Sequence, residues 1–529
     1  MNSKNNLPIY LSIAVVLGIF IGLFLGGGPS ASFSLAKNSA KEQKIKRLLN
    51  YIQRDYVDTI NTDKLLDGAI KQMLGKLDPH SIYIPKENLQ AITENMQGNF
   101  VGIGVQFRMI NDSITVIQPI KGGPSIKAGI KAGDRILMAN KDTLYGKKMF
   151  SGTVPKYLKG KPNTVVDLKI YRKTTDSLFT ISLKRGKVNI KSVDLAYMIN
   201  DSIGYIKLDR FAQNAYTEFK SSLDDLLVNG MTDLVLDLRG NGGGFIHIAN
   251  QIVDEFLGDK KLIVFTKNNK GKIDKSFATE KGDFEKGGLY ILIDEGTASA
   301  SEIVAGALQD NDKGTIIGRR SFGKGLVQEE MDLGDGSAVR LTIARYYTPT
   351  GRSIQKPYTK NGNQTYFSDY QKRIHSGELL TKDSIKTIDS LQFTTPKGKI
   401  VFGGGGIIPD IFVAIDTTAY LNNYYYNAIN KFSFDYVDEN RKVLTEKWEL
   451  SNFIENFDTN HLIYKEYLSK LSGGKPSEKT KKIIKKYLKA SIANDLFGDV
   501  GFYRILHLED KMLLKVLALE KNTKNTASN

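Results

Sequence analysis

Ser299 and Lys324 are the two side chains of this 529-residue chain whose local settings suit covalent chemistry. The segment EGTASASEIVAGALQD (295–310) follows an apolar run ending at Asp294, and its small residues predict a tight turn into a helix beginning near Ser301. Ser299 then stands at the helix entrance, where backbone N–H groups lack partners and the dipole favours negative charge. A hydroxyl there can attack a carbonyl while the Ala300 N–H points at the oxyanion that forms. Taken by itself, the segment reads better as an ordinary N-cap. Ser301 competes for that position, with Glu302 close behind it in the first turn.

A nucleophilic serine needs a base. RRSFGKGLVQEE (319–330) offers Lys324 in a turn that leads into a strand-like run. At period two, Lys324, Leu326, Gln328 and Glu330 share a face, so Gln328 is placed to hold the lysine amine. A base must be neutral, and lowering a lysine from about 10.4 to about 7 costs roughly 4.6 kcal/mol, which burial can supply. Alone, Lys324 reads as an exposed lysine beside a glycine turn. A third segment, RGNGGGF (239–245), lets the backbone approach a ligand and turn its N–H groups inward. It lacks the Lys-Ser/Thr of a P-loop, and Phe245 stands where the last glycine of GxGxxG belongs. A second oxyanion donor, Gly243 above all, is its other use.

These segments need elements to hold them. DLVLDLR (233–239) and LYILID (289–294) read as buried parallel strands, each followed by a small-residue turn and an amphipathic helix, so residues 203–345 read as an α/β core. Upstream, Val101–Phe107, Ser113–Gln118, Arg135–Ala139 and Val165–Tyr171 are short alternating runs between glycine-rich turns, as in a small β-rich module. Residues 37–95 read as mostly helical, with Ile45, Leu48, Leu49 and Ile52 on one face. After Asp410 the chain is helical again, with Ile505, Leu508, Met512, Val516 and Leu519 in one stripe and a polar, frayed tail from Lys521.

Composition removes other chemistries. With no cysteine, disulfides, thiolate zinc sites and cysteine nucleophiles are excluded. The five histidines lie far apart without metal-ligand spacing, and no metal or organic cofactor is expected. A net charge of +17 raises nucleic-acid binding, but most cations are interleaved with acids. The densest run, Lys479–Lys489, carries isoleucines and Leu488 at helical spacing, so it predicts one amphipathic helix, and a surface facing anionic lipid fits it better than nucleic acid does. Residues 7–28 are uncharged and long enough for a transmembrane anchor, with a cleaved signal peptide ending at Ser34-Leu35-Ala36 as the alternative. Lys37, Lys41, Lys44, Lys46 and Arg47 follow the segment while only Lys4 precedes it, a count that argues against export of the body.

Together the chain resembles the C-terminal processing peptidases, or tail-specific proteases. The matching stretches are LDPHSIYIP (77–85), FVGIGVQF (100–107), GGPSIKAGIKAGDRI (122–136), DLRGNGGG (237–244), GTASASEI (296–303), SFGKGLVQ (321–328), YYTPTGRSIQ (346–355) and GGGGIIPD (403–410). They occur in the family's order across roughly residues 45–415.

The chain thus reads as multidomain α/β (α+β): hydropathy and periodicity give an N-terminal transmembrane anchor or signal segment (1–36), a helical region (37–97) and a C-terminal helical extension (416–529), and the resemblance implies a PDZ domain (98–184) and a Ser-Lys protease core (185–415). It makes Ser299 the nucleophile, Lys324 the base and Gln328 its orienting partner, with Ala300 and Gly243 forming the oxyanion hole. It makes Phe100, Val101, Gly102, Ile103 and Gly104 the loop that takes a substrate's terminal carboxylate. Ser125 stands where the family usually has alanine. The resemblance implies protein or peptide substrates with free C-terminal tails, the N-terminal segment adds the membrane as a partner, and a homo-oligomer is left open; family members are typically exported, which places the body in the bacterial periplasm. A non-catalytic PDZ scaffold is the rival reading.

Overall fold

Five short apolar runs between residues 203 and 412 line up as parallel neighbours: Ile203–Leu208, Asp233–Asp237, Gly288–Ile293, Thr315–Gly318 and Ile411–Phe412, with Val193–Met198 antiparallel at one edge. This is a computed structural model, and it describes residues 10–17, 40–146, 149–359, 366–417, 421–459, 461–471, 473 and 476–527. The central strands are mostly apolar because helices cover both sheet faces. On one face, Ala215–Val228, Ile246–Asp254 and Ala300–Asp310 bury Phe219, Ile252 and Val304 against Leu234, Leu236 and Ile291. On the other, Met512, Leu513 and Val516 of the helix Lys511–Ala527 pack on Val235, Leu292 and Ile317. The DLVLDLR and LYILID strands thus lie where expected.

In a second, antiparallel sheet one strand begins just after Lys324. Ala338–Tyr347 pairs with Leu326–Asp332, with Leu262–Asn268 and with Ile82–Ile84. Residues 40–97 are mostly helical as expected, in Ala40–Asp55, Thr62–Gly75 and Lys86–Gln97, and the exception is Ile82–Ile84, whose alternating β-branched residues add to a sheet edge.

The β-rich module is a six-stranded antiparallel sheet, Val105–Ile110, Ser113–Pro119, Arg135–Ala139, Val165–Arg172 and Ser177–Lys184 with the short Asp142–Thr143 beside Arg135–Ala139, closed over Ile114, Val116, Ile136 and Leu168. The run expected over Val101–Phe107 breaks at Ile103-Gly104, where Gly104 takes φ +80°. Residues 99–102 pair instead with Gly186–Asn189.

Beyond residue 420, the helices Asn423–Lys447, Leu450–Asn456, Leu462–Ser469, Glu478–Phe497 and Asp499–His507 share a separate core around Phe432, Phe453, Tyr467 and Leu488. The Lys479–Lys489 run is helical as expected, with Ile483, Ile484 and Leu488 buried. The expected stripe from Ile505 to Leu519 is interrupted, because the helix ends at His507 and Leu508 is exposed. The tail expected to fray from Lys521 continues as helix to Ala527.

Residues 1–70 and 71–529 are distinct compact units. In the first, the helix Ala40–Asp55 forms as expected and leaves Ile45 and Leu48 exposed. The apolar segment 7–28 lies outside the described residues except for residues 10–17, which are helical. Among the described residues, no helix is long and apolar enough to cross a membrane.

Candidate active site

The Gly288–Ile293 strand delivers the chain into a turn that is stitched to the glycine loop beside it. Asp294 accepts the N–H groups of Gly240 and Gly296, both at 2.9 Å. Thr297 Oγ1 donates to the Leu238 carbonyl at 2.9 Å, and Ser301 Oγ donates to the Asn241 carbonyl at 2.9 Å. Ser301 is therefore a structural brace. Ser299 emerges from this turn at φ +59°, ψ −118°, a backbone state that disfavours any side chain and is held by its surroundings. The helix Ala300–Asp310 begins immediately after it.

One buried carboxylate ties this turn to the lysine segment. Glu302 Oε2 accepts the Ser299 N–H at 2.9 Å and the Lys324 N–H at 2.8 Å, while Oε1 accepts the Gly323 N–H at 2.7 Å and the Ser321 hydroxyl. Burial pushes the Glu302 carboxyl above its ordinary range, against these donors. The Tyr346 hydroxyl, also buried, lies 2.8 Å from the Lys324 carbonyl and 3.1 Å from that of Ser299.

The Lys324 side chain enters a cleft of about 480 Å³ that Ser299, Gln328 and Gly242–Gly244 also line. Its Nζ donates to Gln328 Oε1 at 2.8 Å, and among the described residues that is its hydrogen bond, rather than one to Ser299. A bulge between Val327 and Gln328 aims the amide at the amine. Gln328 Nε2 donates onward to the His80 carbonyl. That carbonyl is held by Asp78, whose Oδ1 accepts the N–H groups of His80 at 2.8 Å and Ser81 at 2.9 Å. Burial lowers the Lys324 amine to about 8, helped by the Arg340 charge and opposed by Glu302 and Asp78. The cleft thus offers an amine that is substantially neutral near pH 8, beside a strained serine.

The contact between Ser299 and the glycine loop is close-packed. The Ala300 N–H has no protein acceptor among the described residues. Gly243 has φ +99°, and a Cβ there would fall 2.8 Å from Ser299 Cβ and 2.9 Å from Ala300 N, so only glycine fits. The Gly243 N–H itself donates to Asn241 Oδ1 at 2.9 Å, so in this arrangement it is committed to the loop.

In the β-rich module, Phe100, Val101 and Gly102 are paired strand residues, and Ile103 and Gly104 form the bend before Val105–Ile110. The Ile103 carbonyl accepts both the N–H and the hydroxyl of Ser125, at 2.9 and 2.6 Å. Val105–Ile110 is the edge strand of its sheet, bonded on one side to Ser113–Pro119.

Residues 202–361 match peptidase family S41 and residues 101–183 match the PDZ domain. The carboxy-terminal-processing protease of Bartonella bacilliformis is 34% identical over 354 residues, covering 65% of this chain and 80% of that protein. The chain belongs to peptidase family S41. This peptidase is also similar to the carboxy-terminal processing proteases CtpB and CtpA of Bacillus subtilis. They are 31% identical over 367 residues and 32% over 375, covering 68% and 70% of this chain and 74% and 79% of theirs. The S41 peptidase further matches the N-terminal domain of the activating protease CtpB over residues 30–88 and a family of unknown function over residues 420–498. It is thus a serine peptidase of the carboxy-terminal processing family, with a PDZ domain.

Reading the sequence missed the groups that hold the peptidase's site together. Glu302 stood out only as a first-turn acid, although Ser299-x-x-Glu302 is the spacing of a capping box. Tyr346 and the Asp78–Ser81 loop lie in stretches that carry the resemblance but received no role, and Arg340 gave no local signal, since each acts across a large sequence separation.

Proposed function

We propose that the peptidase cleaves proteins by acyl transfer at Ser299, with Lys324 as general base and Gln328 as the residue that orients it. Lys324 takes the hydroxyl proton, the alkoxide attacks the peptide carbonyl, and the Ala300 N–H with an amide of the 242–244 loop receives the oxyanion. The lysine gives that proton to the leaving amine as the peptide C–N bond breaks, and a water molecule, deprotonated in turn by Lys324, hydrolyses the resulting Ser299 ester and restores the hydroxyl. The observation that carries this reading is the buried Lys324 amine, lowered to about 8, in the same cleft as Ser299.

Substrates are proteins with free C-terminal tails. A tail adding alongside the Val105–Ile110 edge, with its carboxylate at the Phe100–Gly104 bend, is the mode that this exposed edge favours. The working divisions are 1–36, 37–97, 98–184, 185–415 and 416–529, with residues 7–28 tethering the body to a bacterial inner membrane and the protease on the periplasmic side. Purified Ser299→Ala protein should bind an unstructured, apolar-tailed substrate and leave it whole. Digestion by that variant would remove Ser299 from the reaction. Amidating the substrate's C-terminus should lower efficiency, and no loss would end the tail-reading part.

A further inference from the structure

The helices beyond residue 420 touch both the PDZ domain and the protease sheet, through contacts of different chemistry. On the PDZ side, Asp438 is buried and accepts Arg135 through both carboxylate oxygens, at 3.0 and 2.7 Å, while Lys173 Nζ lies 3.1 Å away. The Arg135 guanidinium also sits over the buried Phe434 ring. A second buried acid of the extension, Asp495, faces Arg108 of the PDZ edge strand at 3.8 Å. At the rim, Lys431 Nζ reaches Asn111 at 3.2 Å.

On the protease side the contact is largely apolar, Met512, Leu513 and Val516 against the sheet, pinned by two polar links. Asp510 pairs with Arg239 at 2.7 Å, and His507 Nδ1 lies 2.7 Å from the Tyr197 hydroxyl. Arg239 is the residue directly before the glycine loop 240–244 that lines the catalytic cleft. A shared helical core joins the two attachments, since the Asn423–Lys447 helix packs on Glu478–Phe497, which packs on Asp499–His507. An apolar foot is a lasting attachment, whereas charged pairs at a PDZ face add orientation and register.

We propose that the helical extension, including the 420–498 region that matches a family of unknown function, is a docking bracket for this chain's own PDZ domain. By seating Arg135, Lys173 and Arg108 on Asp438 and Asp495, it fixes the tail-binding edge at a set distance and angle from Ser299, so that a captured tail presents its scissile bond to the cleft. The inference rests on the PDZ domain being the tail reader and does not depend on which residue is the nucleophile.

The chain has no cysteine, so Asn111→Cys/Lys431→Cys full-length protein carries one reactive pair. A short bis-maleimide should close that pair rapidly within one molecule. Asp438→Ala, added to the same protein, should shift the docking equilibrium by about thirtyfold or more and slow closure. Arg135→Ala should act alike, and the double variant should be no worse than either single one. In the activity arm, Asp438→Ala should reduce the ratio of kcat/KM for a free-tailed protein to its amidated form, leave a short tail-less reporter unaffected, and regain the ratio once the cysteine pair is cross-linked. Cross-linking that abolishes tail-dependent cutting would overturn the proposal, as would closure rates and substrate ratios unchanged by Asp438→Ala. If Ser299→Ala proved active, the catalytic reading would fall while the cross-linking rates still judged the bracket.

Discussion

Glu302 holds Lys324 by its backbone and not by its amine. Its Oε2 accepts the Lys324 N–H at 2.8 Å, while Nζ turns away to Gln328. The distinction matters because a carboxylate against the amine would favour the charged lysine, whereas one against the backbone fixes its position at smaller electrostatic cost. The same oxygen takes the Ser299 N–H, so the backbones of Ser299 and Lys324 are referenced to one atom.

Glu302→Gln should therefore damage the site more than its small change in shape suggests. One acceptor oxygen becomes a donor facing N–H or O–H groups, which leaves buried donors unpaired. The expected loss is about 2 kcal/mol or more of stability, read by urea unfolding. The expected fall in kcat is about a hundredfold with little change in KM, because the displaced groups are those that react. Wild-type kcat in a folded Glu302→Gln protein would refute this role.

Peptidase activity should rise with pH through an apparent pKa near 8, as Lys324 loses its proton. Arg340 depresses that pKa, so Arg340→Ala should move the rising limb to higher pH. Since the folded-state pKa lies below the unfolded value of 10.5, the buried amine disfavours the fold by on the order of 3 kcal/mol below pH 8. This penalty fades as pH rises from about 8 to 10.5, and Lys324→Met should remove it. Stability curves of the two proteins that run parallel across that window would contradict the assignment.

Gln328→Leu removes the link from the Lys324 amine to the His80 carbonyl. The amine should sample more rotamers, lowering kcat by about tenfold to a hundredfold while KM stays close to wild type. Steady-state kinetics on a short reporter separates the two parameters, and a change confined to KM would show that Gln328 contacts substrate instead.

Gly243→Ala places a methyl 2.8 Å from Ser299 Cβ at a φ of +99°. Both the contact and the backbone state are unfavourable, so a loss of about 1–3 kcal/mol in stability is expected, together with near-complete loss of hydrolysis. Gly242→Ala, where a Cβ meets nothing within 4 Å, should be milder in a thermal unfolding assay. Equal effects at the two positions would show that close packing against Ser299 is not the reason for glycine.

Much of this was legible from local pattern. Apolar runs ending in small-residue turns gave the strands before the glycine loop and before Ser299. The Lys324-to-Gln328 pairing also followed from spacing, even though a bulge rather than plain period two aligns the two groups. Other expectations failed where tertiary contacts outweighed local tendency. Ile82–Ile84 left a helical region to join a sheet 254 residues downstream, where Ile84 pairs with Ala338, and Leu508 fell in the gap between two helices.

The linear chain by itself determined which chemistry is available: a serine at a helix mouth, a lysine four residues before a glutamine, glycines that admit close backbone approach, and no thiol. Those features depend on neighbours within a few residues, where φ/ψ limits and periodicity act directly. Folding decided whether the chemistry is assembled. Burial lowers the Lys324 amine, Tyr346 and Glu302 join the Ser299 and Lys324 segments, and Asp78 sets the His80 carbonyl that braces Gln328. Desolvation and hydrogen bonds between distant segments exist only once the chain has closed on itself, so no window of sequence contains them.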